Sequence, residues 1–132
     1  MLSITGKPSV FFLMTIVFSF RNEEENIPEL VRRVRAVLQG EIERKIISGY
    51  EMIFVNDDSI DESFNILAEF QKVYPISIIN MSRRFGNGPC ILAGFEYSQG
   101  DAVVYMDTDL QDPPEVIPKL IEKFRNGAEI VH

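Results

Sequence analysis

VVYMDTDLQDPPE, residues 103–115, is the stretch on which the fold prediction depends. Its first four residues are apolar and rich in β-branched and aromatic side chains, which is typical of a buried strand. Asp107 and Asp109 follow at the end of that strand, one residue apart. Asp112 and Glu115 are spaced as a capping box, with two prolines between them, and predict a helix start. The stretch therefore predicts a strand, an acidic turn and a helix in succession.

The two aspartates at this strand end have two interpretations. A hard cation takes carboxylate oxygens as ligands, and a strand end holds such oxygens on a rigid platform. Sugar and phosphate chemistry uses cations of this kind to neutralise a diphosphate. The D-x-D spacing is also common, so Asp107 and Asp109 are equally compatible with solvated turn residues. The positions of the other polar residues in the chain are needed to choose between a cation site and a solvated turn.

Composition narrows the possible functions. A chain of 132 residues is a single domain or a piece of one, and its 45% hydrophobic and 25% charged content is that of a soluble globular protein. A net charge of −7 argues against a nucleic-acid partner. The only cysteine, Cys90, excludes an internal disulfide and fits a reducing compartment. The only histidine, His132, excludes Ser-His and Cys-His sites and a histidine metal cluster within this chain.

Strand and helix patterns alternate beyond residue 9. Capping boxes predict helix starts at Asn26 with Glu29 and at Ser59 with Glu62, and Gly40 is predicted to end the first helix. A further helix is predicted at residues 90–98, with Cys90 as a small buried apolar residue. The order βαβαβαβαβ predicts a parallel sheet with helices on both faces. The predicted strands are residues 10–20, 50–55, 76–81 and 101–106, with a fifth beginning at residues 128–132.

Residues 10–20 (VFFLMTIVFSF) are the most apolar run in the chain. A membrane span needs about 20 apolar residues, so the run is too short for one. Lys7 precedes it, as in a signal peptide, but the charged residues 21–25 follow it where a small-residue cleavage site would lie. We interpret it as a central strand buried on both faces. Residues 1–9 are predicted to form a loosely held leader.

Polar clusters follow four of the predicted strands. Ligands of open α/β sheets bind beyond the carboxyl ends of the strands, so these clusters are expected to converge and to form a site. Arg21 could stack on a pyrimidine, Asp57 could accept a hydrogen bond from a base, and Arg83 and Arg84 could reach phosphate. We interpret Asp58 as a helix-cap residue and Arg84 as a surface residue. The clusters are Arg21-Asn22-Glu23, Asn56-Asp57-Asp58, Arg83-Arg84 with Gly86, and Asp107-Thr108-Asp109.

Four segments of this chain resemble the family 2 inverting glycosyltransferases. Within that family they are most similar to the polyprenyl-phosphate sugar transferases, the group of dolichyl-phosphate mannose synthase and bactoprenol glucosyltransferase. The resemblance extends over nearly the whole chain beyond Ser9, and its most specific part is D-x-D-L-Q-D-P-P-E. The segments are residues 22–30 (NEEENIPEL), 55–61 (VNDDSID), 82–86 (SRRFG) and 106–115 (MDTDLQDPPE).

The resemblance implies an α/β, Rossmann-like fold that forms the nucleotide-sugar-binding half of a glycosyltransferase A-type domain. It implies that Asp107 and Asp109 bind Mg²⁺ or Mn²⁺ under the diphosphate, that the motif contacts the ribose, and that Asp57 contacts the base. Arg21 and Glu23 would flank the nucleoside. The full implied nucleotide-sugar-binding set is Ser19, Arg21, Glu23, Asp57, Arg83 and Asp107.

The resemblance also implies an activity. A sugar would pass, with inversion, from a UDP- or GDP-sugar to a polyprenyl phosphate or a growing glycan, at the cytoplasmic face of a membrane and in a homo-oligomer. The family's acceptor site and catalytic base lie beyond the position of His132. We therefore expect no catalytic residue in this chain, and we expect donor binding without turnover.

This chain departs from the family pattern at several positions. Family members usually have proline at Ser19, tyrosine at Arg21, aspartate at Asn56 and asparagine at Arg84. They also have a glycine at Asp58, where it permits a tight turn.

Three alternatives to a glycosyltransferase donor site stay open. A receiver-like signalling domain has a similar alternation, but it would need an acidic pair after the first strand, where this chain has Arg21-Asn22. A metal-dependent phosphohydrolase normally carries its D-x-D nucleophile after the first strand, whereas here the motif follows the fourth predicted strand. A non-catalytic fragment would only pack against a missing half.

Overall fold

A computed structural model describes residues 3–6, 11–127 and 130–131 of the chain. The described strands are β1 (Ser3–Gly6), β2 (Phe12–Phe20), β3 (Ile47–Asn56), β4 (Ile76–Asn80), β5 (Ala102–Asp107) and β6 (Ile130–Val131). The described α-helices are α1 (Ile27–Glu43), α2 (Ser63–Gln71), α3 (Asn87–Tyr97) and α4 (Ile117–Arg125), and a 3₁₀ turn at Pro114–Val116 precedes α4. Within these ranges, no helix has the length and apolar character needed to cross a membrane.

The six strands form one sheet in the order β4-β3-β2-β5-β1-β6. β2 to β5 are parallel, which confirms the predicted sheet, and their carboxyl ends are in register: Ser19 lies opposite both Val55 and Asp107. The chain moves from β2 to β4 in one direction and then returns across β2 to β5. Because right-handed crossovers in opposite directions lie on opposite faces, α1 and α2 cover one face and α3 covers the other.

The two faces of the sheet carry separate hydrophobic clusters. Under α1, α2 and α4, the rings of Phe18 and Phe54 stack with centroids 4.5 Å apart, and Phe12 meets Phe124 edge to face at 5.6 Å. Burying each such ring contributes roughly 1.5–3 kcal/mol. The smaller cluster lies under α3 and consists of Val17, Ile53, Val55, Cys90 and Tyr105. Both faces of β2 are therefore covered, and the central strand predicted for residues 10–20 is confirmed over Phe12–Phe20.

A glycine brings α3 into close contact with the sheet. A Cβ atom at Gly94 would lie 2.3 Å from Val17 Cγ1, so no larger residue fits there without a shift of the helix or of the strand. This approach matters for the site, because the amino-terminal residue of α3, Asn87, lies beyond the carboxyl end of the sheet.

Helix α1 begins after Asn26 as predicted, but several side chains of the predicted capping boxes contact other partners. Asn26 Nδ2 donates a hydrogen bond to Glu23 Oε2, Ser59 Oγ accepts one from the backbone of Asn22, and Glu115 forms a salt bridge with Arg33. The N-cap residues of α1, α2 and the 3₁₀ turn, which are Asn26, Glu62 and Pro113, make no side-chain cap hydrogen bond. Helix α1 also continues through Gly40, because Glu41 is buried beyond it and Ile42 packs against the core.

The loose leader predicted for residues 1–9 is wrong for Ser3–Gly6, which pair antiparallel with β5 and with β6. The physical reason is that β5 has unpaired backbone groups on the side away from β2, and a strand satisfies them. The other residues of 1–9 lie outside the described residues. Of the fifth strand predicted at residues 128–132, the described part is Ile130–Val131, and it pairs with β1 instead of extending the parallel sheet directly.

Candidate functional site

The carboxyl ends of β2, β3 and β5 open into a cleft of about 370 Å³. This is the edge at which ligands bind in open α/β sheets, and β2 lies at the point where the strand order reverses. The lining residues are Ser19, Phe20, Arg21, Glu23, Asp57, Arg84, Gly86, Asn87, Asp107, Thr108 and Asp109. All four predicted polar clusters thus contribute to one cleft.

The cleft brings together six of the seven residues predicted for the donor and metal sites. The seventh, Arg83, does not line it, because its guanidinium lies over the ring of Phe85, 4.0 Å from the centroid. Arg84, interpreted from the sequence as a surface residue, lines the cleft instead. The two arginines are neighbours in irregular backbone, so no periodicity in the sequence indicates which of them points inward.

Asp57 fastens the loop before α3 to the end of β3. The residue is 5% exposed, Oδ1 accepts a hydrogen bond from the backbone N–H of Phe85 at 2.7 Å, and Oδ2 accepts one from Gly86 at 3.0 Å. Gly86 has a φ of +91°, a conformation that favours glycine. Each carboxylate oxygen accepts more than one hydrogen bond, so this contact leaves Asp57 able to accept from a ligand as well.

Asp107 lies beside a buried tyrosine hydroxyl. Tyr105 Oη is 2.9 Å from Asp107 Oδ1 and 3.0 Å from Asn87 Oδ1. Burial first, and then the hydrogen bond to the Asp107 carboxylate, raise the pKa of the Tyr105 hydroxyl above its ordinary value. The hydroxyl is therefore protonated at neutral pH and donates a hydrogen bond. Tyr105 and Asn87 had no signal in the sequence that marked them as part of the site.

Asp109 lies on the exposed turn that follows β5. Its Oδ1 accepts a hydrogen bond from the backbone N–H of Gln111 at 3.1 Å, and Leu110 has a φ of +64°. Within the described ranges, no three acidic, histidine or cysteine side chains converge on a common point that would hold a metal. A cation between Asp107 and Asp109 would therefore complete its coordination with ligand or water oxygens.

The loops after β2 and β3 are joined by reciprocal hydrogen bonds. The backbone N–H of Asn22 donates to Ser59 Oγ at 3.0 Å, and that of Ile60 donates to Asn22 Oδ1 at 2.8 Å. Asp58 has a φ of +62° where the family pattern has glycine, and aspartate is one of the few residues that tolerates this conformation. The tight turn is thus kept despite the substitution, and these bonds hold the two loops that carry Arg21 and Asp57.

Arg21 lines the cleft and Cys90 lies behind it. Arg21 Nε is buried and has no hydrogen-bond partner within the part of the chain that the structure describes. Cys90 is fully buried behind the cleft, as predicted. Burial first, and then the negative charge of Asp57, raise the pKa of its thiol to about 11. The thiol is therefore protonated and unreactive at neutral pH.

Two sugar transferases are similar in sequence to this chain. The chain is 38% identical over 117 residues to the dolichol-phosphate mannosyltransferase of Pyrococcus furiosus, a match that covers 89% of this chain and 31% of that protein. It is also 38% identical over 127 residues to the undecaprenyl-phosphate 4-deoxy-4-formamido-L-arabinose transferase of Pseudomonas fluorescens, which covers 95% of this chain and 36% of that protein. The chain therefore spans about a third of the length of these relatives.

Solved structures share the fold. The mannosyltransferase PcManGT from Pyrobaculum calidifontis, in complex with GDP-Man and Mn²⁺, superposes with a TM-score of 0.71 at 16% identity, over 91% of this chain and 34% of that one. Staphylococcus aureus TarS in complex with UDP gives a TM-score of 0.62 at 18% identity, over 73% of this chain and 27% of that one. These neighbours confirm the predicted glycosyltransferase fold class. Residues 15–132 match glycosyl transferase family 2, and the chain belongs to that family.

Proposed function

We propose that the cleft binds a nucleotide diphosphate sugar through a divalent cation held by Asp107 and Asp109. The charge of the lining carries the proposal. Four carboxylates and two guanidinium groups line the cleft, so its formal charge is −2 before any ligand enters. A diphosphate is itself anionic, and a cleft of this charge would repel it unless a cation bound with it.

Mg²⁺ or Mn²⁺ fits the donor set. Both take carboxylate oxygens, and two aspartates leave coordination positions for phosphate oxygens and water. When bound, the cation would stabilise the charge that develops on the departing diphosphate. The Mn²⁺ named with GDP-Man in the Pyrobaculum calidifontis neighbour supports this choice.

The nucleoside would lie toward β2 and β3. Asp57 accepts a hydrogen bond from the base, Arg21 stacks on the base through its guanidinium, and Ser19 and Glu23 lie beside the nucleoside. Uracil and guanine both present a ring N–H beside a carbonyl, so this contact accommodates a UDP-sugar or a GDP-sugar. Arg84, which lines the cleft, takes the phosphate contact that the sequence assigned to Arg83.

The acceptor and the cellular setting belong to the proposal as well. The two relatives named above carry a dolichol phosphate and an undecaprenyl phosphate in their names, which supports a polyprenyl-phosphate acceptor. A longer protein of this kind would work at the cytoplasmic face of a membrane, and a homo-oligomer stays a prediction that size-exclusion chromatography tests. We expect this 132-residue chain to bind the donor without turnover, and measurable sugar transfer by it would contradict that expectation.

Membership of the glycosyltransferase family decides against the receiver-like and phosphohydrolase alternatives. The third alternative, a non-catalytic fragment, differs from the proposal in whether the chain binds nucleotide. The test is a calorimetric titration with UDP- and GDP-sugars, with and without Mn²⁺.

Three proteins are compared in that titration: the unsubstituted chain, Asp109→Asn and Asp58→Asn. Asp58 is exposed and does not line the cleft, so its substitution removes the same charge without touching the site. We expect Mn²⁺ to tighten binding, Asp109→Asn to weaken the Mn²⁺-dependent binding by about tenfold or more, and Asp58→Asn to bind normally. Binding that ignores both the metal and Asp109→Asn would overturn the role of the motif. No binding at all would favour the fragment alternative.

A further inference from the structure

The hydroxyl of Tyr105 connects the candidate metal ligand Asp107 to the beginning of α3. The tyrosine is fully buried in the cluster beneath α3, so its ring position is set by packing. Only its hydroxyl reaches the polar edge, where it lies 2.9 Å from Asp107 Oδ1 and 3.0 Å from Asn87 Oδ1. The contact with Asn87 joins β5 to α3, and the two residues are 18 positions apart in the sequence.

The protons of this cluster can be assigned. A phenol has one proton to donate, and both neighbours face it with an oxygen, so only one of the two contacts is a bond donated by the hydroxyl. A carboxylate is the stronger acceptor, and it takes that proton. The oxygen and nitrogen of an asparagine amide are assigned from their hydrogen bonds. With its amide turned, Asn87 donates from Nδ2 to Tyr105 Oη, and both contacts of the hydroxyl are then hydrogen bonds.

We propose that Tyr105 is a positioning residue for the cation site: its hydroxyl holds Asp107 in one rotamer before the cation arrives. This inference rests on the proposed function, because it concerns the same metal and diphosphate. A carboxylate that is already oriented loses less side-chain freedom when it binds a cation, so the site binds the metal more tightly. Hydrogen-bond partners of metal ligands contribute to metal affinity in this way, and removing one typically weakens it 10- to 100-fold.

The test is Tyr105→Phe, which removes the hydroxyl and leaves the ring in the core. The matched control is Tyr97→Phe, which removes a hydroxyl from an exposed position in α3. Calorimetry with UDP and with GDP as probes, each with and without Mn²⁺, gives the ratio of the two Kd values for each protein. This ratio is the metal enhancement, and a residue with a purely structural role would change both Kd values together.

We expect Tyr105→Phe to lower the metal enhancement roughly tenfold while its metal-free Kd stays unchanged, and Tyr97→Phe to behave as the unsubstituted chain. Should Tyr105→Phe melt well below the unsubstituted chain, Asn87→Ala gives the second measurement, because it removes the other partner of the hydroxyl from an exposed position. A smaller loss of metal enhancement in the same direction is then expected.

Different results would contradict the positioning role of Tyr105 and the proposed metal-dependent binding of the donor. An unsubstituted chain that shows metal enhancement, together with a Tyr105→Phe variant that keeps all of it, overturns the positioning role alone. An unsubstituted chain that shows no metal enhancement overturns the proposed function and this inference with it.

Discussion

Asp57→Asn tests whether the Asp57 carboxylate holds the loop at residues 85–86, part of which lines the cleft. In the structure, the Asp57 carboxylate accepts one backbone hydrogen bond with each oxygen, from Phe85 at 2.7 Å and from Gly86 at 3.0 Å. Asparagine is nearly the same size but keeps only one acceptor oxygen. Its NH₂ group would face one of the two backbone N–H donors, so the substitution removes one hydrogen bond and opposes two donors at a buried position.

The expected cost follows from the hydrogen bonds. A hydrogen bond to a charged group is worth about 1.5–3 kcal/mol, and the remaining bond weakens as its acceptor loses the charge. We therefore expect a loss of about 2–3 kcal/mol in the free energy of unfolding. With a urea dependence of about 2 kcal/mol per molar, the midpoint of urea unfolding would fall by roughly 1–1.5 M, which circular dichroism measures directly.

The neighbouring residue provides the control. Asp58→Asn removes the same negative charge at an exposed position, and asparagine adopts the backbone φ of +62° as readily as aspartate does. Its unfolding free energy is expected to stay within about 0.5 kcal/mol of the unsubstituted chain. Equal midpoints for the two variants would refute the reasoning, because they would show that the Asp57 carboxylate does not hold the loop at residues 85–86.

Two further predictions concern packing and pH. Gly94→Ala is expected to destabilise the fold by about 1–3 kcal/mol in urea unfolding, because overpacking against Val17 outweighs a helix-propensity gain of at most about 1 kcal/mol. Gly88→Ala, in the same helix but with no atom near its added Cβ, should be neutral or slightly stabilising, and equal losses would contradict the packing argument. For Asp61, burial alone would raise the pKa, but hydrogen bonds from Ser63 and from the backbone of Glu24 outweigh burial and lower it. Their stabilisation is present above the ordinary value of 3.8 and is lost as the pH falls through the lower folded value. Acid unfolding of Asp61→Asn, followed by circular dichroism, should therefore be less steep below about pH 4 than that of the unsubstituted chain.

The parts of the fold that follow from local patterns were predictable. The run at residues 10–20 has the composition of a strand buried on both faces, and β2 occupies the centre of the sheet. The alternation of strand and helix patterns places Asp57 and Asp107 at carboxyl strand ends, because parallel strands with helical crossovers end at the same edge. Six of the seven predicted site residues consequently line the cleft.

Several residues that the sequence assigned to local roles instead contact partners that are distant in sequence. The predicted capping residue Glu115 binds Arg33 in α1, 82 residues away, and Ser59 accepts from Asn22, 37 residues away. A rule based on local spacing takes no account of hydrogen-bond and salt-bridge partners that are far away in the sequence. The same holds for Ser3–Gly6, since nothing in those four residues indicates that β5 needs a strand beside it.

By itself, the sequence determined the alternation of strands and helices from β2 onward, the acidic pair after β5 and the family. The hydrophobic period, the strand ends and the motif spacing depend on residues that are close together in the sequence, so they can be recognised without the structure. Only the tertiary structure decided that Arg84 and not Arg83 lines the cleft, that Asp57 holds a loop 29 residues away, and that Tyr105 reaches Asp107. The physical reason is that each of these contacts is directional over about 3–4 Å, and strand order, register and the approach of α3 to β2 set those distances.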